Sequence, residues 1–190
     1  MNIITGSARG TKLITLEGEA TRPTLQRAKE VIFSAIQFDI EGRKVLDLFA
    51  GSGQLGLEAL SRGAEKAVFI DSSKDAFGVI YDNANKTHLY KKCVILTMDY
   101  AEYLRSAKKS GERFDIVFLD PPYGSGLLPE ALSKLRMYNV LSDNALVIAE
   151  WDKDTLFDDK PGLYDDYDVL KIYKSGRIYF YKLQPKEKTI

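Results

Sequence analysis

Cysteine and histidine are nearly missing from this chain of 190 residues, which has one of each. The lone Cys93 excludes an internal disulfide and a cysteine metal cluster. The lone His88, set in the polar segment 85–92, makes a zinc site or a Ser-His-Asp triad hard to assemble, and it reads as a surface residue. No metal is expected. Long apolar runs are also missing: none approaches the roughly 20 residues that span a bilayer. Residues 1–10 lack the apolar core of a signal peptide, so the expected location is cytoplasmic. Net charge is zero, with 27 basic residues against 27 acidic ones. That balance argues against a strongly basic nucleic-acid binder. Internal repeats and low-complexity segments are lacking too.

The chain is 45% hydrophobic, enough for a sizeable core in one domain with a small appendage. Its charge is unevenly spread. Arg9, Lys12, Arg22, Arg27 and Lys29 cluster near the N-terminus. Lys171, Lys174, Arg177, Lys182, Lys186 and Lys188 fall in the last twenty residues, after an acidic stretch over 152–168. A neutral protein so divided can carry a basic face; ordinary solvated charge is the plainer alternative. The acidic stretch reads as a solvated loop. No exposed apolar stripe is evident, so a monomer is expected.

From Lys44 onward, strand-like and helix-like segments alternate. Strands are predicted over 44–49, 67–71, 93–98, 114–119 and 145–149, and helices over 54–62, 74–86, 101–109 and 128–136. The helix over 74–86 carries a stripe of Phe77, Ile80, Tyr81 and Ala84. Such βαβ alternation implies a parallel sheet covered on both faces. Segments 167–173 and 177–183 flank a Lys174-Ser175-Gly176 turn signal and read as an antiparallel hairpin. The fold class is therefore α/β: a doubly wound, mostly parallel sheet ending in a hairpin. Residues 1–43 break the pattern and form an N-terminal extension to the main domain, 44–190. Within it, 2–5 and 12–16 can pair as a small β-hairpin. Residues 24–38 form a helix with Thr24 as its cap.

The most informative segment is Phe118-Leu119-Asp120-Pro121-Pro122-Tyr123. It ends an apolar strand. Two prolines stop the ladder, leaving a carboxylate, a carbonyl and an aromatic ring at the C-terminal edge of the sheet. In open α/β sheets that edge is where ligands bind. Asp120 can accept one exocyclic N–H of a flat heterocycle, and the Pro121 carbonyl the second. Two acceptors draw the amine lone pair out of conjugation and aim it at an electrophilic methyl. Tyr123 can stack on the base, an interaction worth about 1–3 kcal/mol. An ordinary strand-end turn is the bland alternative.

Gly51, Ser52, Gly53 and Gly56 satisfy G-x-G-x-x-G between a strand and a helix, a spacing that dinucleotide sites share. Asp47, just ahead of the loop, would repel a pyrophosphate but pair with a ligand ammonium, which favours an amino-acid-bearing cofactor over NAD. Capping of local amides is the other use for Asp47. Asp71, ending the second strand, can accept both hydroxyls of a ribose or cap the next helix. Asp99, ending the third strand, can accept an adenine amino group or cap its own helix.

These residues resemble a class I S-adenosylmethionine-dependent methyltransferase of the amino-group type. The match narrows with residues 6–10 (Gly-Ser-Ala-Arg-Gly), with Thr21-Arg22-Pro23-Thr24 before a helix, and with the block from Leu46 to Gly63. All three are similar to the RsmD family, which methylates N2 of a guanine in bacterial 16S ribosomal RNA. The resemblance covers roughly residues 1–150 and implies a seven-stranded, Rossmann-like methyltransferase fold. It implies a cofactor site of Asp47, Phe49, Gly51, Ser52, Gly53, Gly56, Asp71, Ser72, Asp99 and Tyr100. Asp120, Pro121, Pro122 and Tyr123 would form the catalytic turn. Arg22 and Thr24 would lie near the mouth of the site, with Arg9, Lys12 and Arg27 also facing RNA. The implied partner is 16S ribosomal RNA, free or in the small ribosomal subunit. Gln26 stands where the family often has a short polar acid, and Asp71 where glutamate is frequent. Three other readings stay open. The Asp-Pro-Pro-Tyr turn also serves enzymes that methylate adenine N6. An NAD-linked oxidoreductase would use the glycine loop but leave Asp47 and the turn unexplained. A non-catalytic RNA-binding module could keep the same fold.

Overall fold

The computed structural model of the protein describes residues 1–16, 23–122 and 124–187. In chain order the elements are α1 (Pro23–Ala35), β1 (Lys44–Asp47), α2 (Gln54–Ser61), β2 (Lys66–Asp71) and α3 (Lys74–Lys86). Then come β3 (Cys93–Thr97), α4 (Tyr100–Ser110), β4 (Phe114–Leu119), α5 (Leu127–Tyr138) and β5 (Leu141–Trp151). The short helices α6 (Leu156–Asp159) and α7 (Leu163–Asp166) precede β6 (Tyr167–Ser175) and β7 (Ile178–Pro185). Seven strands form one sheet in the order β3-β2-β1-β4-β5-β7-β6. Strands β1 to β5 run parallel, and β7 and β6 are antiparallel additions. The doubly wound sheet with its terminal hairpin is the architecture that the periodicity implies. Among the described residues no helix is long and apolar enough to cross a membrane.

Chain order reverses direction across the sheet between β1 and β4, and this is the switch point where such sheets open a crevice. Apolar side chains alternate along the strands, so the sheet feeds two cores. One lies under α1, α2 and α3 and includes Phe33, Val45, Phe69 and Phe118. The other lies under α4 and α5 and includes Leu46, Val68, Val117 and Leu132. Gly56 sits where α2 crosses β2: a Cβ there would run into the Phe69 ring, so the helix can lie this close only with glycine.

The N-terminal segment shares the first core through Ile3, Leu13, Ile32 and Phe33. Its anchor is Glu58, fully buried in the middle of α2. The Glu58 carboxylate accepts the Ile4 and Thr5 amides at 2.8 and 3.0 Å. It also pairs with Lys29 Nζ at 3.0 Å and Arg62 Nε at 2.9 Å. The expected β-hairpin over 2–5 and 12–16 reduces to a single Asn2–Lys12 bridge, because the Ile4 and Thr5 amides go to Glu58 instead of a partner strand. Lys29, counted above with the basic cluster, is only 2% exposed. Burial drives its pKa down from 10.5, against the pull of Glu58.

Three further expectations change. Helix α1 ends at Ala35 rather than residue 38, and Phe38 stands out in solvent. Phe77 and Tyr81 are not core residues. The buried face of α3 is Ala76, Ile80, Asn83 and Ala84, and Phe77 and Tyr81 lie beside it, exposed, with Tyr81 edge-on to Tyr90 at 5.1 Å. The acidic stretch is not simply a solvated loop. Its aspartates face water, but α6 and α7 bury Leu156, Phe157 and Leu163 in the second core.

Replacing Glu58 with Ala strands a buried Lys29 and two amides, and a loss of about 3–5 kcal/mol in unfolding free energy is expected from chemical denaturation. Gly56→Ala is expected to cost about 1–3 kcal/mol in the same assay, because the added Cβ would overlap the Phe69 ring, itself fully buried, and force it to shift.

Candidate active site

The C-terminal ends of β1, β2, β3 and β4 open into one cavity of about 810 Å³. A cofactor-sized ligand needs a volume of this order. Its walls carry Asp47 and Phe49 after β1, Asp71 and Ser72 after β2, Asp99 and Tyr100 after β3, and Asp120, Pro121 and Pro122 after β4. Parallel strands with short connections bring these four strand ends together, although 73 positions separate Asp47 from Asp120 in sequence. The β1–β4 ladder closes with the Leu48 amide donating to the Phe118 carbonyl at 3.2 Å. Just beyond it the two chains diverge, and Asp47 and Asp120 line the same crevice.

The acids that end β1 and β2 and follow β3 are each held by backbone amides. Asp47 is buried, and its Oδ2 accepts the Gly56 amide at 2.9 Å. Asp71 Oδ2 accepts the Gly51 amide and its Oδ1 the Ser73 amide, both at 2.9 Å. Asp99 Oδ1 caps α4 through the Ala101 and Glu102 amides at 2.8 and 3.1 Å. For Asp47 and Asp99, then, the amide-binding use is observed. It does not remove them from the cavity, because a carboxylate has about four acceptor sites on two oxygens. The cap of α3 is Ser73, not Asp71.

The glycine loop contributes unevenly. Gly51 lines the cavity. Gly53 adopts φ 76°, a conformation that glycine takes without strain, and opens α2 with its carbonyl accepting the Leu57 amide at 2.9 Å. Ser52 is 1% exposed and faces inward. Ser52, Gly53 and Gly56 do not line the cavity: Ser52 and Gly53 shape the turn, and Gly56 meets Phe69. Asn83 braces the loop from behind, donating to the Ser52 carbonyl at 3.0 Å while its Oδ1 accepts the Ile14 amide at 2.8 Å. Sequence reasoning missed Asn83, whose place on the buried face of α3 depends on its partners Ile14 and Ser52.

On the far wall, Tyr100 packs on Phe49 with ring centroids 5.2 Å apart. Burial first, and the Glu130 carboxylate second, push its hydroxyl up to about 12, so it stays protonated. At the turn after β4, Pro121 is buried and Pro122 exposed, and the Pro122 carbonyl accepts the Ser125 amide at 3.2 Å. Tyr123 and Arg22 lie outside the described residues, as does the side chain of Thr24, which stands at the start of α1.

The remaining basic residues are dispersed. Arg9 is exposed in the turn that packs on the C-terminal end of α2, where Ala8 donates to Ser61 Oγ. That is about 10 Å along the helix from Gln54, away from the cavity rim. Lys12 is exposed at its bridge with Asn2. Arg27 is exposed on the other flank of α1, facing β6. Sequence reasoning missed Leu16, Leu48, Ala50, Gln54, Leu55, Met98 and Leu127, which complete the cavity walls. Of these only Gln54 gave a signal, as a polar residue opening an apolar helix. Its Oε1 is buried with no hydrogen-bond partner among the described residues.

The residues present suit a ligand with an amino-acid end and an adenosine. Asp47 and Gln54 offer acceptors beside Gly51, and Asp71 offers two oriented oxygens to a diol. Met98, Tyr100 and Phe49 supply apolar faces, with Asp99 at their edge.

Residues 1–182 match the family described as "Conserved hypothetical protein 95". The chain is 37% identical over 155 residues to the ribosomal RNA small subunit methyltransferase D of Haemophilus influenzae, covering 81% of this chain and 80% of that protein. It is 38% identical over 154 residues to the putative rRNA methyltransferase YlbH of Bacillus subtilis, covering 81% and 84%. Among solved structures, the putative methyltransferase yhhF from Escherichia coli superposes with a TM-score of 0.84 at 30% identity, over 99% of both chains. The family match, the identities and the superposition agree, and the chain belongs to the RsmD family of methyltransferases.

Proposed function

We propose that this protein methylates the exocyclic N2 of a guanine in 16S ribosomal RNA, free or within the small subunit, using S-adenosylmethionine. The observation that carries the reading is one cavity that holds the acids of β1, β2 and β3 on one side and the Asp120-Pro121 turn on the other. When bound, S-adenosylmethionine supplies a methyl group already activated on a sulfonium. Asp47 and the Gly51 region would hold its amino-acid end. Asp71 would take the ribose hydroxyls, and Asp99 the adenine edge.

Asp120 and the Pro121 carbonyl would each accept one N–H of the base amine. This orients the nitrogen lone pair toward the methyl, lets the Asp120 carboxylate stabilise the positive charge that develops on nitrogen, and leaves that carboxylate placed to pass to solvent the proton the methylated amine gives up. Tyr123 would stack on the base. The target must leave a stack or come from a loop to reach the turn. The turn chemistry serves an adenine N6 equally well; relatives named for the small-subunit RNA support a ribosomal substrate, and the family resemblance supports guanine. Such a substrate implies work in the cytoplasm.

Asp120→Ala is expected to lower methyl transfer by on the order of 10²–10³-fold while leaving cofactor affinity intact. The assay is nucleoside mass spectrometry on 16S ribosomal RNA from cells lacking the modification, supplied with isotopically labelled S-adenosylmethionine. Labelled N2-methylguanosine at one site is the expected product; labelled N6-methyladenosine would overturn the base assignment. Asp71→Ala is expected to weaken S-adenosylmethionine binding by about 10- to 100-fold, measured by titration calorimetry, since it removes charged acceptors of the ribose.

A further inference from the structure

Strand β5 runs parallel to β4, so Trp151 ends at the same edge as Asp120. Trp151 pairs with Tyr179 on β7, and Ile178 pairs with Ser175 on β6. The β6–β7 turn therefore projects from the reactive edge itself. Three strand spacings of about 4.8 Å separate β4 from β6, so the tip lies about 14 Å across the sheet from the catalytic turn.

Charge divides along this edge. The carboxylates of Asp47, Asp71, Asp99 and Asp120 line the cavity on the half from β3 to β4. On the hairpin half, Lys171, Lys174 and Arg177 are exposed. A groove of about 650 Å³ separates α1 from β6, with exposed Arg27 on one wall and Tyr173 and Ser175 on the other. The lysines are braced on rings: Lys171 lies 5.1 Å from Tyr173, and Lys174 lies 5.1 Å from Tyr179. Two acids moderate the patch. Glu30 lines the groove, and Asp154 faces Lys174. A polyanion whose base enters the cavity meets repulsion on the acid half and attraction on the hairpin half.

We propose that the β6–β7 tip, through Lys174 and Arg177 with Arg27 across the groove, holds the phosphate backbone of the RNA strand that flanks the target base. This rests on the methyltransferase reading above. Phosphate contacts position an RNA without reading its sequence, which suits residues remote from the base.

The test is filter binding of unmodified 16S ribosomal RNA over a salt series, with K174A/R177A. About tenfold weaker binding is expected, with a salt slope shallower by about 1.4, that is two phosphates at ~0.7 each. In turnover the variant should raise KM for RNA and leave kcat unchanged, and the charge-preserving K174R/R177K should restore wild-type values. Unchanged affinity and slope would overturn the proposal. So would a K174R/R177K protein as weak as the alanine variant, since that would assign the loss to packing on Tyr179 rather than to charge. The two readings fail separately. A wild-type protein that transfers no methyl to RNA or to small subunits removes the enzymatic reading, while a salt slope reduced by K174A/R177A would still support the tip as an RNA contact.

Discussion

A carboxylate buried in the middle of α2 ties the N-terminal segment and α1 to the sheet's covering helix. Glu58 has no access to water, so it must be paired, and its partners come from three places: the Ile4 and Thr5 amides, Lys29 of α1 and Arg62 of its own helix. The last turn of α2, the first strand-like segment and α1 are thereby fixed relative to the sheet. The consequences reach the cavity. Asn83 ties Ile14 to the glycine loop, and Leu16, two residues on, closes a cavity wall. Lys29 is held at the cost of desolvating its ammonium, which is why its pKa falls despite an acid at 3.0 Å.

The same economy governs the strand-end acids. A carboxylate near a helix start can cap amides or face a ligand, and from sequence these look like alternatives. In the fold they coexist. Asp47, Asp71 and Asp99 each accept backbone amides while lining the cavity. The amide bonds fix the orientation of each carboxylate before any ligand arrives, so little rotamer freedom is left to lose on binding. Binding by positioning requires such rigidity, and at these three carboxylates the backbone amides provide it.

Zero net charge turns out to be a poor guide to the surface. The C-terminal edge of the parallel strands separates acids over those strands from exposed bases over the terminal hairpin. That separation exists because two antiparallel strands were added beside β5, which returns the chain's last turn to the edge where the parallel strands end.

Much of this was legible in the chain. Period-two and period-3.6 patterning located all seven strands, because burial on both faces of a parallel sheet demands continuous apolar runs. The β4 strand and α3 were read to the residue. Asp47, Asp71, Asp99 and Asp120 were found because each directly follows or ends such a run. Other features were not legible. Nothing local separates Lys29, which is buried, from Arg27, two residues earlier, which is exposed; the difference is the location of Glu58, 29 positions away. Nor does the helical period alone say that Phe77 and Tyr81 face solvent while Asn83 is buried, since that depends on Ile14 and Ser52 being there to pair with the amide. The sequence by itself determined which elements form and which acids end them, because those depend on local periodicity and on proline and glycine geometry. Only the tertiary structure decided which charges are buried, which acids share a cavity and where the basic hairpin points, because each depends on partners brought together by packing.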